Sequence, residues 1–167
     1  MPAGYQLVKA PTVKVSFGAP KSWTPMDQSA LTNPKTMKLM IEKSGQTEAA
    51  LRQALAQMEL FVVGPSIRGL APNVNVISSP GTALPTDAQL HAQLDAMVKV
   101  TAIREESTAM GPVRVSTYTM DIQGTPMAAE QVYAINGGRI AIITVSARDA
   151  AEAKTYATTV LKTLRPS

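Results

Sequence analysis

The residues that could do chemistry in this sequence are few. Its one histidine, His91, lies between Asp87 and Asp95. On a helix, with about 100° per residue, the three would wind down one side as a slow spiral. Three such ligands could hold a divalent ion with water completing the shell. The spacing is better read as a solvated helix edge bordering the apolar face, with Asp87 favouring the positive end of the helix dipole. A serine nucleophile would need that histidine nearby, on a strained turn, and no Gly-x-Ser-x-Gly occurs. Glu105 and Glu106 are adjacent, so on a strand they point to opposite faces and cannot act as a paired acid and base. Gly137-Gly138 is followed by Arg139 and a β-rich run, whereas a phosphate-cradling loop opens a helix. There is no cysteine, hence no disulfide, thiolate metal site or cysteine nucleophile. The expectation is a chain that is not an enzyme, with neither cofactor nor metal.

Polar and aromatic residues in structured segments are the stronger candidates. Asn73 and Asn75 alternate with Val74 and Val76, which puts both amides on one face of a strand. An amide inside a helix-covered sheet needs a partner, because leaving it unsatisfied costs about 1–3 kcal/mol. Either the asparagines bond loop backbone near Pro72, or they line a cleft with Trp23 or Tyr133. Asn73, Asn75, Trp23 and Tyr133 are therefore the candidate binding residues. Trp23 has a second reading, as a lid on one end of the core. The nine methionines suit either an adaptable binding surface or core filling. Met37, Met40, Met58 and Met97 fall at core spacing.

These residues must be held by a sizeable core. The 167-residue chain has the usual length of one domain. At that length about 70% of the unfolded surface can be buried. With 45% hydrophobic and only 17% charged residues, the composition is that of a packed domain rather than a disordered one. No apolar run approaches the roughly 18 residues of a membrane span. The first nine residues lack the apolar core of a signal peptide, so export would imply a leader ahead of Met1. The net charge of +4 is uneven: the first 43 residues hold six lysines against Asp27 and Glu42, and the remainder balances. This basic third can meet an anionic membrane surface peripherally or an acidic partner, or simply be solvated. Aromatics make up only 4%, too few to interleave with the basic residues as nucleic-acid binding wants.

The elements follow from periodicity. Residues 1–10 read as a lead-in, and 11–167 as one domain. Val13, Val15 and Phe17 alternate with polar residues as a half-buried strand. Asn33-Pro34 opens a helix with stripe Met37, Met40 and Ile41, stopped at Gly45. Thr47 caps a second helix carrying Leu51, Ala54, Leu55 and Met58. Strands are expected at 60–63 and 73–78. Thr86 and Gln89 form a capping box for a helix with Leu90, Leu94, Met97 and Val98 on its apolar side. A strand at 101–107 precedes a meander at 113–122, 127–135 and 139–147, joined by Gly-bearing turns at 123–126 and 136–138. A final helix, opened by Asp149 and Glu152, carries Ala153, Tyr156, Ala157, Val160, Leu161 and Leu164, and Pro166 ends it. This order implies an α+β fold: an α/β/α sandwich with a central, mostly antiparallel sheet and helices on both faces.

Three stretches together resemble the PsbP-like superfamily, the fold of the photosystem PsbP subunit and the Ran-binding Mog protein. They are Pro11-Thr-Val-Lys-Val-Ser-Phe17 with Pro20-Lys-Ser-Trp23; Leu70-Ala-Pro-Asn-Val-Asn-Val76; and Gln131-Val-Tyr133, Asn136-Gly-Gly138 and Ile140–Ser146 leading into a last helix. Within that superfamily the sequence looks most like actinobacterial secreted proteins and lipoproteins of the LpqN type. The resemblance implies a noncatalytic binding or assembly domain of the cell envelope, with an unknown protein or envelope component as partner. A cytoplasmic site stays open, since no leader or lipidated cysteine is present. Two other readings remain at this level: a small enzyme using carboxylates and backbone donors, and a secretion-associated structural subunit.

Overall fold

The computed structural model describes residues 1–44, 47–67, 70–122 and 124–167. In chain order the elements are β1 Tyr5–Ala10, β2 Val15–Pro20, β3 Thr24–Met26, α1 Pro34–Ser44, α2 Glu48–Gln57, β4 Leu60–Val63, β5 Asn73–Pro80, α3 Asp87–Leu94, β6 Lys99–Thr108, β7 Gly111–Ile122, β8 Thr125–Asn136, β9 Arg139–Ala147, α4 Ala150–Thr163 and β10 Arg165–Pro166. A 3₁₀ turn, Gln28–Thr32, precedes α1.

Among the described residues the strands form two antiparallel sheets. The larger has the order β3-β4-β5-β9-β8-β7-β6 and the smaller β1-β2-β10. The meander β7-β8-β9 is set by its turns. Gly137 and Gly138 both have positive φ, the requirement of a two-residue type I′ hairpin, and Asn136 stands opposite Arg139 across it. Gly124, also at positive φ, takes the Asp121 carboxylate on its N–H at 2.6 Å. Gln123 of that turn, and the expected helix stop Gly45, lie outside the described residues.

Helix starts follow their caps. Asn33 Oδ1 accepts from the N–H groups of Lys35 and Thr36. Thr47 caps α2, Asp149 caps α4, and Thr86 with Gln89 closes a full capping box on α3. Each such cap stabilises by about 1 kcal/mol.

The large sheet buries both faces, so the chain is an α/β sandwich. On one face, Leu60, Val62, Val74, Val76, Val113, Val115, Val132, Ala134, Ile143 and Val145 pack on the β1–β2 hairpin and on Ala157, Val160 and Leu164 of α4. On the other, Phe61 and Val63 meet Met37 and Met40 of α1 and Leu51 and Leu55 of α2. Further along that second face, Leu94 of α3 covers Tyr118 and Ala129.

Three expectations need correction. Residues 1–10 are more than a lead-in: β1 pairs with β2 and buries Val8 and Ala10 in the main core. Its alternation was masked because the outward positions include Leu7 as well as Lys9. The third helix ends at Leu94, and Met97 is 75% exposed rather than in the core. Val98 still packs on Tyr118, but from the turn that follows the helix. Pro166, expected only to stop α4, pairs with Val15 as part of β10.

Candidate functional site

The second face of the large sheet carries a polar row where apolar residues would complete a core. The register aligns Phe61, Asn75, Thr144, Gln131, Ser116 and Ile103 across β4, β5, β9, β8, β7 and β6. Four consecutive members are polar. On the next row toward one end, Asn73 stands beside Ser146; on the row toward the other, Ile77, Ile142, Tyr133 and Arg114 align. Strands with a period of two put all of these side chains on one face.

Hydrogen bonds tie the row together. Gln131 Nε2 donates to Thr144 Oγ1 at 2.9 Å, and the Tyr133 hydroxyl donates to Gln131 Oε1 at 2.6 Å. Burial pushes the Tyr133 phenol up, and burial together with Tyr133 pushes Tyr118 to about 12, with Thr144 nearby pulling it back slightly. Both phenols are therefore neutral donors at ordinary pH. Ser116 Oγ is wholly buried and tempers the rise at Tyr133, but its geometry falls short of a hydrogen bond. Among the described residues it has no hydrogen-bond partner.

The two asparagines differ. Asn73 Nδ2 donates to the Ala71 carbonyl at 3.3 Å, so it serves the loop before its own strand. The Asn75 amide has no hydrogen-bond partner among the described residues, and it is half-exposed, as are Gln131 and Ile142. The row thus opens along β5 and β9, between the α1–α2 layer and α3. It offers amide and hydroxyl donors and acceptors beside Tyr133.

Trp23 is not brought to this place. It is buried in the core of the opposite face, edge-on to Tyr156 with ring centroids 4.6 Å apart. Its indole lies over Gly64, where a Cβ would come within 2.8 Å of the ring. The candidate set therefore divides: Asn73, Asn75 and Tyr133 share a face, and Trp23 belongs to the core.

Sequence reasoning missed Gln131 as a site residue, along with Thr144, Ser116 and Tyr118. Their signal was a polar residue in the middle of an otherwise apolar strand, as in Ile140–Ser146, but only the register shows that such residues align.

The opposite face holds a second polar place. Glu130, with a 5% exposed side chain, pairs with Arg104 Nη2 at 2.7 Å, and Arg104 also reaches Glu106 and Thr117. Burial works against the Arg104 charge, but the bonds to Glu130 and Glu106 outweigh it and hold the pKa above its ordinary value. A cleft of about 570 Å³ opens there beneath α4. Glu105 points to the other face, as its spacing required. Asp87 bridges to Arg114 at 3.3 Å, while His91 pairs with Asp95 at 3.1 Å. Among the described residues no cluster of three His, Cys, Asp or Glu is placed to hold a metal ion, and no helix is long and apolar enough to cross a membrane.

No family model matches the sequence, and no curated protein matches it. Among solved structures, the chain is similar to the solution structure of cyanobacterial PsbP (CyanoP) from Synechocystis sp. PCC 6803. The likeness covers 100% of this chain and 95% of that one, with a TM-score of 0.60 and 12% sequence identity. At that identity the likeness is one of fold: the architecture is PsbP-like.

Proposed function

We propose that this chain is a noncatalytic binding domain whose ligand lies on the open polar row of the large sheet. The observation that carries the reading is the row itself, with the Asn75 amide unpartnered among the described residues at its open edge. Polar groups inside a sandwich are costly unless they are satisfied. Gln131 and Thr144 bond each other, while Ser116 Oγ and the Asn75 amide have no partner among the described residues and keep capacity for a further one. The row contains amides, hydroxyls and neutral phenols, and none of these titrates near neutral pH. That favours binding over acid–base chemistry. The carboxylates an enzyme would need at the second cleft, Glu130 and Glu106, are occupied by Arg104.

The ligand class that fits is an uncharged group rich in amides and hydroxyls. The PsbP-like architecture agrees with a binding or assembly role. The likeness of the sequence to secreted proteins and lipoproteins of the LpqN type supports a place in an actinobacterial cell envelope. The binding reading is tested by amide chemical-shift titration with N,N′-diacetylchitobiose and with a neutral Ser/Gln-rich peptide. Shifts gathered on Asn75, Gln131, Tyr133 and Ile142, and abolished in Asn75→Leu, are expected for at least one probe. Shifts with neither probe, or turnover of either, would sink it. Cell fractionation with an antibody to the chain tests the envelope reading, and a purely cytosolic signal would refute it.

A further inference from the structure

The smaller sheet has an open edge, and its register says which backbone groups face outward. β1 is the edge strand of the order β1-β2-β10. Lys21 N donates to the Gly4 carbonyl at 2.8 Å, so Gly4 and Lys21 are a hydrogen-bonded pair. Bonded and non-bonded pairs alternate along an antiparallel hairpin. Gln6–Ala19, Val8–Phe17 and Ala10–Val15 are then the bonded pairs, and Leu7–Gly18 and Lys9–Ser16 the non-bonded ones. Two contacts on the far side of β2 agree. Gly18 N bonds Thr163 Oγ1 at 2.8 Å, and Ser16 pairs with Arg165 of β10. The N–H and C=O groups of Leu7 and Lys9 therefore point out of the sheet, and among the described residues nothing receives them.

These groups open into a cleft of about 430 Å³ whose far wall includes Met26, Asn33 and Thr36. That wall comes from β3, itself the edge of the large sheet, and from the start of α1. The cleft lining balances Lys9 against Asp27, but the hairpin and α1 around it are net basic. Lys9, Lys14 and Lys21 on the hairpin, and Lys35 and Lys38 on α1, are all exposed. Asp27, on the cleft wall, already accepts from Ser29 N at 2.9 Å.

We propose that the β1 edge takes up an extended acidic segment of a partner protein as an added strand. Main-chain bonds to Leu7 and Lys9 supply the attachment, and the lysines select the charge. A second copy of this chain is the wrong occupant, because it would set two lysine-bearing hairpins side by side. The proposal concerns a different surface from the polar row and stands without it.

The test uses fluorescence anisotropy and amide shifts with two labelled peptides, an alternating Glu-Val heptapeptide and its Lys-Val counterpart. The acidic peptide should bind, with shifts centred on Leu7 and Lys9 rather than Asn75, and the basic one should not. Leu7→Pro removes an outward N–H and no charge, and proline is tolerated on an edge strand. It should weaken binding by about fivefold to tenfold, the worth of one net hydrogen bond. Lys9→Glu keeps that N–H and should weaken the acidic peptide through charge alone, which covers the case in which the proline variant fails to fold. Equal binding of both peptides, shifts away from β1, or binding unchanged in either variant would overturn the proposal. So would self-association, or binding to anionic phosphatidylserine vesicles, with no binding of the peptide.

Discussion

At the scale of single residues, Asn73 and Asn75 make the sharpest contrast. Alternation alone was enough to put both on one face. It could not show that Asn73 bonds the Ala71 carbonyl while Asn75 has no partner among the described residues. Asn73→Leu should lose about 1 kcal/mol of stability, the net value of a hydrogen bond with one partner left behind. Asn75→Leu should hold or gain stability, since it strips no bond from the described residues. Chemical denaturation of the pair checks both, and equal losses would mean that Asn75 is structural too. Tyr118 gives a second test. Its folded pKa, about 12, lies above the ordinary value of 10 because burial disfavours the phenolate. The folded state therefore holds its proton more tightly than the unfolded one. The resulting stability is complete below pH about 10 and is lost as pH rises toward 12, by up to about 2–3 kcal/mol. Denaturation midpoints across that window should fall in the native chain and fall less in Tyr118→Phe. The role of Trp23 was the least legible of the four candidates, because a Pro-flanked tryptophan looks the same in sequence whether it anchors a ligand or, as here, lies over Gly64.

Among the elements, the helix caps and the meander were legible because each is written in local chemistry. Thr86 with Gln89, Asp149 at α4 and the two glycines after Asn136 act within a few residues of themselves. What was not legible is which strand lies beside which. The insertion of β5 next to β9 rather than β6 brings Asn75 against Thr144, and no local pattern announces it. The last helix shows how far periodicity reaches. It grouped Val160, Leu161 and Leu164 on one side, yet Leu164 and Val160 are fully buried while Leu161 is only partly so. Leu164→Ala should therefore cost about 2–5 kcal/mol, the range for a large-to-small change in a core. Leu161→Ala, at the margin of the cleft below α4, should cost clearly less. Similar losses in the two variants would mean that α4 is rotated from the face described.

For the whole molecule, the question is whether the small sheet belongs to the domain or is appended to it. Composition and element order carried the fold class, a two-sided antiparallel sheet. They did not carry the role of residues 1–10, because Pro2, Gly4 and Pro11 flank a strand only six residues long. The packing makes that strand integral. Val8 and Ala10 lie in the same core cluster as Phe17, Trp23 and Ile143, and the loop that closes the hairpin is fastened to the rest of the chain. Glu59 Oε2 accepts from Thr12 N, and Asn136 Nδ2 donates to the carbonyls of Val13 and Lys14. Deleting residues 1–10 would remove a buried valine, worth about 1.5–3 kcal/mol. It would also strip the hairpin bonds to β2 and open Val15 and Phe17 to water. Against a total stability of about 5–15 kcal/mol, the truncated chain should lose its near-ultraviolet circular dichroism and its cooperative melt. Deleting residues 1–3, which are exposed and contribute the Pro2 carbonyl that accepts from Tyr5 N and the Met1 side chain beside Gly18, should cost only about 1 kcal/mol and keep both. If the longer deletion melts cooperatively within roughly 3 °C of the full chain, a shift worth about 1 kcal/mol at this size, then β1 contributes little, and the core is closed by β2, β10 and α4 without it.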